Sequence, residues 1–207
     1  IGIEVDYING PSWNDFLGMI KEKELDLILN IVNTEKRREY INFTDEYLHT
    51  LTGIYVKEGQ AAYVSLNELK HKKLAVPKGF FEQELIEKYY PDIELILVKD
   101  NLEVLEAILT STANAGIGEM GVMSYMLDEH MITEISLSGT IQDNRFDNLL
   151  NLGVRKDWPE LKEIMQKAKD VLEESSVRAL HKKWEVKSKA SIDNENKGLL
   201  DWKSIGQ

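Results

Sequence analysis

Apolar residues recur along this chain in two periods, every second position in short runs and every third or fourth in longer ones. Ile1, Ile3, Val5 and Tyr7 alternate with more polar partners until Asn9-Gly10-Pro11, which predicts a half-buried strand closed by a turn. Ser12 is placed to cap a helix whose apolar face is Trp13, Phe16, Leu17 and Ile20. Residues 25–31 and 54–56 read as strands. Ser65-Leu66-Asn67-Glu68 has the form of a capping box, in which the serine accepts from a free amide and the glutamate reaches back to another. Residues 74–76 predict a strand, and Gly79 breaks it before a helical stretch that Pro91 stops. Ile93, Leu95 and Leu97 alternate; Leu102, Leu105 and Ile108 predict a helix; 115–117 a strand, 120–127 a helix and 132–137 a strand. Pro159 suits a first helical turn, and Leu161, Ile164, Met165, Ala168, Val171 and Leu172 give the clearest amphipathic stripe in the chain. The alternation argues for an α/β architecture with largely parallel sheets. Beyond Trp184 the polar stretch KSKASIDNENKG reads as a linker, after which Leu199, Leu200, Trp202 and Ile205 form a short apolar cluster.

Composition narrows the function classes. The 207 residues hold 25 Lys plus Arg against 36 Asp plus Glu, a formal charge of −11, so general binding to nucleic acid or an anionic membrane is disfavoured. With no cysteine, disulfide scaffolds, thiolate zinc sites and thiol nucleophiles are excluded. No apolar run reaches the ~18 residues of a membrane span. The chain opens in strand-like alternation without a methionine, and is expected to be a processed portion of a larger protein.

Catalytic chemistry finds little support. Gly116-Ile117-Gly118-Glu119-Met120-Gly121 matches the letters of a dinucleotide fingerprint, but Glu119 would put a carboxylate where pyrophosphate must sit. His49, His71, His130 and His181 are scattered, with no metal-ligand spacing and no nucleophile beside them, so neither metal nor cofactor is expected. The run Thr34-Glu35-Lys36-Arg37-Arg38-Glu39 fits a solvated turn of mixed charge. It lies, however, between two apolar strand-like segments, and an arginine at a strand end can hold a carboxylate by two parallel bonds.

At this point an ordered series of residues resembles a known family. Asp26, then Thr34-x-x-Arg37, then Phe43-Thr44-Asp45-x-Tyr47, is similar to the signature of family 3 extracellular solute-binding proteins, the type II periplasmic-binding or Venus-flytrap fold. The similarity continues through Ser65-Leu66-x-x-Leu69, Lys73-Leu74-Ala75-Val76-x-x-Gly79, Ala113-Asn114-Ala115, Gly153-Val154-Arg155-Lys156 and Lys182-Lys183-Trp184. The resemblance implies two α/β lobes joined by two crossing strands, with lobe 1 holding 1–50 and 152–185, lobe 2 holding 51–151, and 186–207 a tail toward a membrane segment. It also implies that lobe 1 lacks its first strand and helix.

Carried over by position, Arg37 matches the arginine that grips a ligand α-carboxylate, Glu119 the acid that receives a ligand ammonium, and Trp13 an aromatic wall of the pocket. Gly79 matches a glycine that lets lobe-2 amides approach the ligand. Val32 and Phe80 stand where amino-acid binders often carry hydroxyls, which implies a more apolar pocket. Trp13 also fits a plain core position, and Glu119 a plain acid at a helix start.

Tyr89-Tyr90-Pro91-x-Ile93 and the segment 196–205 resemble the flytrap sensor domains of bacterial histidine kinases and diguanylate cyclases. The resemblance thus implies an extracytoplasmic sensor domain, not itself an enzyme, that binds an amino acid or organic acid. It would be anchored to the cell's inner membrane by a segment after Gln207, with a homodimer as the assembly of the full-length receptor. The soluble binding component of an amino-acid ABC importer is the alternative on the same fold, and a cyclic-acid dehydratase-like enzyme a third.

Overall fold

The computed structural model describes residue 2 and residues 4–172. Two sheets organise them. The first collects β1 (Leu27–Val32), β2 (Ile41–Phe43) and β3 (Leu48–Thr50) around one central strand, β9 (Asn148–Arg155), every pairing antiparallel. One edge of β9 takes β1, with Leu27 opposite Val154 and Val32 opposite Leu150. Its other edge takes β2 and β3 end to end, with Phe43 opposite Gly153 and Leu48 opposite Leu150. Helix α1 (Trp13–Lys21) buries Ile20 against Ile28, Ile31 and Ile41, and the last helix, α5 (Pro159–Asp170), packs on β9 and β2. Ser12 starts α1 with a complete capping box, its hydroxyl accepting from the Asp15 amide while the Asp15 carboxylate accepts from the Ser12 amide at 2.9 Å.

The second sheet has the strand order β6-β5-β7-β4-β8, built from β4 (Thr52–Lys57), β5 (Lys73–Pro77), β6 (Glu94–Val98), β7 (Ala115–Glu119) and β8 (Ile135–Thr140). Helix α2 (Phe81–Tyr89) links β5 to β6 and α3 (Asn101–Leu109) links β6 to β7, and these crossovers make β5 parallel to both neighbours. Helix α4 (Met120–Glu129) follows β7 directly. The chain passes between the sheets twice, at Leu51 between β3 and β4, and through 141–147 between β8 and β9. Both crossings are tied together: Asn148 Nδ2 donates to the buried Thr52 hydroxyl at 2.8 Å, and the Ile141 amide donates to the Thr52 carbonyl at 3.0 Å.

Several sequence expectations need correction. Parallel pairing is confined to β5, β6 and β7: α4 also brings β8 back in the direction of β7, but β4 lies between them and pairs antiparallel with both, and the whole first sheet is antiparallel. Residues 4–9 form no strand, since alternation marks a face but a ladder needs a partner, and Val5, Tyr7 and Ile8 are exposed. The strand expected at 132–137 lies at 135–140, displaced by the turn at Met131 (φ 51°) that ends α4. The Ser65 box is not made: a short 3₁₀ turn, Leu66–Leu69, stands in place of a helix, the Ser65 hydroxyl caps no amide, and Glu68 accepts from the Val64 amide at 3.1 Å. Val171 and Leu172 fall outside α5 and are exposed. The fingerprint-like glycines Gly116 and Gly118 sit inside β7, where an added Cβ would meet Val104 and Met123 respectively, so their smallness serves helix-on-sheet packing. The expected linker and apolar terminal cluster lie outside the described residues.

Candidate ligand-binding cleft

Three side chains of the first lobe hydrogen-bond into the cleft. Arg37 stands at the head of a 3₁₀ turn between β1 and β2, where the Thr34 hydroxyl accepts from the Arg37 amide at 3.3 Å; that bond explains the spacing Thr34-x-x-Arg37. Trp13 and Asn14 open α1. Other residues of the same signature are scaffold. Thr44 is buried, bonding β9 through its amide to the Leu152 carbonyl at 3.0 Å and accepting from the Leu152 amide on its hydroxyl. Asp26 holds Arg155 at 3.1 Å.

These side chains reach the loop that follows β5 on the second lobe. Arg37 Nη2 and Trp13 Nε1 both donate to the Gly79 carbonyl, at 3.2 and 3.3 Å, and Asn14 Nδ2 donates to the Lys78 carbonyl at 2.9 Å. Lys36 pairs with Glu84 at 3.4 Å, and Trp13 meets Phe80 edge to face with ring centroids 5.8 Å apart. Arg37 Nη1 donates to the Val32 carbonyl at 2.8 Å, and its guanidinium carbon stands 5.4 Å from the Trp13 ring centroid. Five of the six residues singled out from sequence, Trp13, Val32, Arg37, Gly79 and Phe80, thus meet at one place between the lobes. Gly79 enters in an unexpected way: it turns its carbonyl to the first lobe, while its amide donates to Gln83 Oε1 at 2.8 Å.

Glu119 is engaged elsewhere. As the N-cap of α4 it accepts from the Gly121 amide at 3.0 Å on one oxygen and from the Val122 amide at 2.8 Å on the other.

Charge in the cleft runs against the net charge of the chain. Arg37 is 3% exposed and makes no ion pair among the described residues; burial pushes its pKa down, with Tyr40, Glu84 and Glu82 acting the other way. A cavity of about 220 Å³ beside it is lined by Lys21, Lys36 and Arg37 against one acid, Glu84. Three cations there set a locally positive field on a protein of charge −11.

One buried acid close in sequence to the 78–80 loop escaped sequence reasoning. Glu82, on the first turn of α2, is 4% exposed, and its Oε2 has no hydrogen-bond partner. Burial pushes its pKa up to about 7, with its own backbone amide and then Arg37 lowering it and Glu119 raising it by smaller amounts. An acid near a helix start is ordinary in sequence, so only the fold distinguishes it.

The matching family is decisive on ancestry. The model of the bacterial extracellular solute-binding proteins, family 3, matches residues 1–187. The chain belongs to that family. No curated protein matches its sequence. Solved structures share the fold at low identity. A histidine kinase sensor domain described as similar to periplasmic binding proteins aligns at TM-score 0.75 and 19% identity, covering 84% of this chain and 75% of that one. The periplasmic VFT2 domain of BvgS from Bordetella pertussis aligns at TM-score 0.77 and 16% identity, covering 88% and 77%. An ancestral arginine-binding protein bound to arginine gives 0.75 and 20%, covering 85% and 78%. This family member therefore has the two-lobed type II periplasmic-binding, or Venus-flytrap, fold, and its family and these structural relatives are binding or sensor proteins.

Substituting Gly79 tests the contact between the lobes. Its φ of +79° costs a side-chain-bearing residue roughly 1–2 kcal/mol, and an added Cβ would stand 2.0 Å from Asn14 Oδ1. Gly79→Ala should lower the melting temperature, and Asn14→Gly in the same background should restore part of the loss. A double-mutant cycle measures this; strictly additive losses would show that the two residues do not touch.

Proposed function

We propose that this domain binds a carboxylate-bearing small molecule between its lobes, as the extracytoplasmic sensor domain of a membrane-bound signalling protein. The observation that carries the ligand reading is Arg37. A buried guanidinium without a counter-ion is costly, and two of its five N–H donors go to the Val32 and Gly79 carbonyls. The donors left over suit a ligand carboxylate, held in the bidentate manner that guanidinium favours. A ligand that touches Arg37 on one lobe and the 78–80 loop on the other favours the closed arrangement by its differential affinity for it. The sensor role draws support from Tyr89-Tyr90-Pro91-x-Ile93, which closes α2 and leads into β6 in the manner of the flytrap sensors.

A thermal-shift screen of amino acids, organic acids and polyamines tests the site. A ligand at a hundred times its dissociation constant should stabilise the domain by ~2.7 kcal/mol, and Arg37→Ala should remove that gain. Equal stabilisation of both proteins would refute the carboxylate clamp. A hydrophobic span encoded directly after Gln207 favours the receptor, and a stop codon there the importer component.

A further inference from the structure

We infer that the ligand carries two acid groups, a small dicarboxylate with one carboxylate on Arg37 and the other on Lys21. This rests on the reading of Arg37 given above and names the class of compound the site takes.

The cavity of about 220 Å³ beside Arg37 decides the charge of its occupant. Both lobes line it, with Lys21, Lys36, Arg37 and Tyr40 from the first and Gly79 and Glu84 from the second. Its single acid is already taken, since Glu84 pairs with Lys36 at 3.4 Å. Neither Lys21 nor Arg37 forms an ion pair among the described residues. Two positive charges are therefore left over in one small space, three cations less the one that Glu84 balances. An ammonium there would meet like charges and no free carboxylate. A ligand with a positive end is thus disfavoured, and a dianion is matched.

Lys21 ends α1, so its charge also suits the negative end of the helix dipole. That role is met anywhere in the last turn and calls for neither a cavity nor an aromatic ring. The Lys21 Nζ instead stands 4.5 Å from the ring centroid of Tyr40, the residue that closes the turn carrying Arg37. The ring keeps the ammonium beside the same cavity as the guanidinium without neutralising it. The two cations offer different holds. Arg37 is buried and presents a planar fork, whereas Lys21 is exposed and presents a point charge on a flexible stem. One carboxylate is therefore fixed in orientation and the other tethered. The cavity is smaller than the ~300–1,000 Å³ of sites for drug-sized compounds, so the chain between the two acids is short.

The test is calorimetric titration of the protein with succinate, glutarate and adipate. Each is paired with the acid of equal length that ends in a methyl group: butyrate, valerate and hexanoate. Wild type should bind at least one diacid about tenfold tighter than its partner, the low end for a hydrogen bond to a charged group. Lys21→Met keeps the apolar stem and removes the charge, so it should bring that ratio toward one and leave the monoacid affinity unchanged. Lys21→Arg should keep the ratio. Lys23→Met removes an equal charge outside the cavity, where Lys23 pairs with Asp157 at 3.1 Å, and should keep it too. Arg37→Ala should weaken both members of a pair. A ratio that survives Lys21→Met, or falls as far in Lys23→Met, overturns the proposal. If wild type binds both members of every pair equally, the ligand needs only one acid group and the Arg37 clamp stands alone. Binding that Arg37→Ala leaves intact refutes the clamp as well. If neither class binds, the dicarboxylate is overturned, and the amino-acid arm of the thermal-shift screen still decides the clamp.

Discussion

Phe146→Ala should destabilise the fold by about 3–5 kcal/mol, the range for removing a fully buried aromatic ring. Phe146 ends the short 3₁₀ turn Asn144–Phe146 within the second crossing, and it is 1% exposed. Its ring packs among Ile54, Val56, Leu66, Leu69 and Ile86, and meets Tyr90 edge to face at 6.1 Å. The backbone is held as well, since the Phe146 carbonyl accepts from the Thr52 hydroxyl of the first crossing at 3.4 Å. The crossing is thus held both by the buried ring and by the bonds of Thr52 to Phe146 and Asn148. Urea unfolding followed by far-UV circular dichroism measures the loss as a lower midpoint at unchanged slope. A loss under ~1 kcal/mol, the range of ordinary surface changes, would mean that the ring is not part of the core. Phe146→Leu keeps most of the buried volume and should recover much of the loss.

The legible part of this fold was the part built from local repetition. In the stretch β5-α2-β6-α3-β7, each element buries one face against the next, so its period survives in the sequence. The central strand β9 was not legible as a strand. Flanked on both edges, it buries Asn148, Asn151, Gly153 and Val154, while Leu149 is exposed. Its polar residues are inside because they bond neighbouring strands: Asn151 Nδ2 donates to the Thr44 carbonyl at 2.9 Å. Hydrogen bonds between residues over a hundred positions apart leave no local period to read. The expectation of parallel sheets overreached for a related reason, since strand-helix alternation describes connection and says nothing of the long returns that build the first sheet.

The candidate site divides the same way. Arg37 stood out because a charge between two apolar strand runs has few places to go but the end of a sheet. Trp13 was ambiguous between core and cleft, and it serves both, packing against the first core while its indole nitrogen reaches Gly79. The residue pattern puts Glu119 between a strand and a helix, where it caps α4 and its bonds are to its own helix. Glu82 gave no signal because an acid at the second position of a helix is common, and its burial is seen only in the folded chain.

That burial yields the last large prediction. The Glu82 carboxyl is raised from 4.5 to about 7 in the folded protein, chiefly by loss of water, while in the unfolded chain it is fully hydrated. As pH rises through 4.5 the unfolded state gives up this proton first. Stability from this group is therefore complete below that point, falls as pH climbs, and levels off above about 7. The full change is about 3 kcal/mol, from ~1.4 kcal/mol for each pH unit between the two values. Its own backbone amide and Arg37 lower the value and Glu119 raises it, all by less than the loss of water. Other carboxylates act oppositely, such as Asp143, which Arg145 holds down at about 2, but their effects cancel when two variants are compared. The readout is accordingly the difference in stability between Glu82→Gln and wild type, followed from pH 4 to pH 8. Glutamine brings a constant cost for its buried amide, which shifts the difference without tilting it. The difference should move in favour of Glu82→Gln by about 3 kcal/mol across that span, or roughly 6–12 °C in melting temperature for a chain of this size. A difference that stays flat with pH would place the Glu82 carboxylate in water in the folded protein.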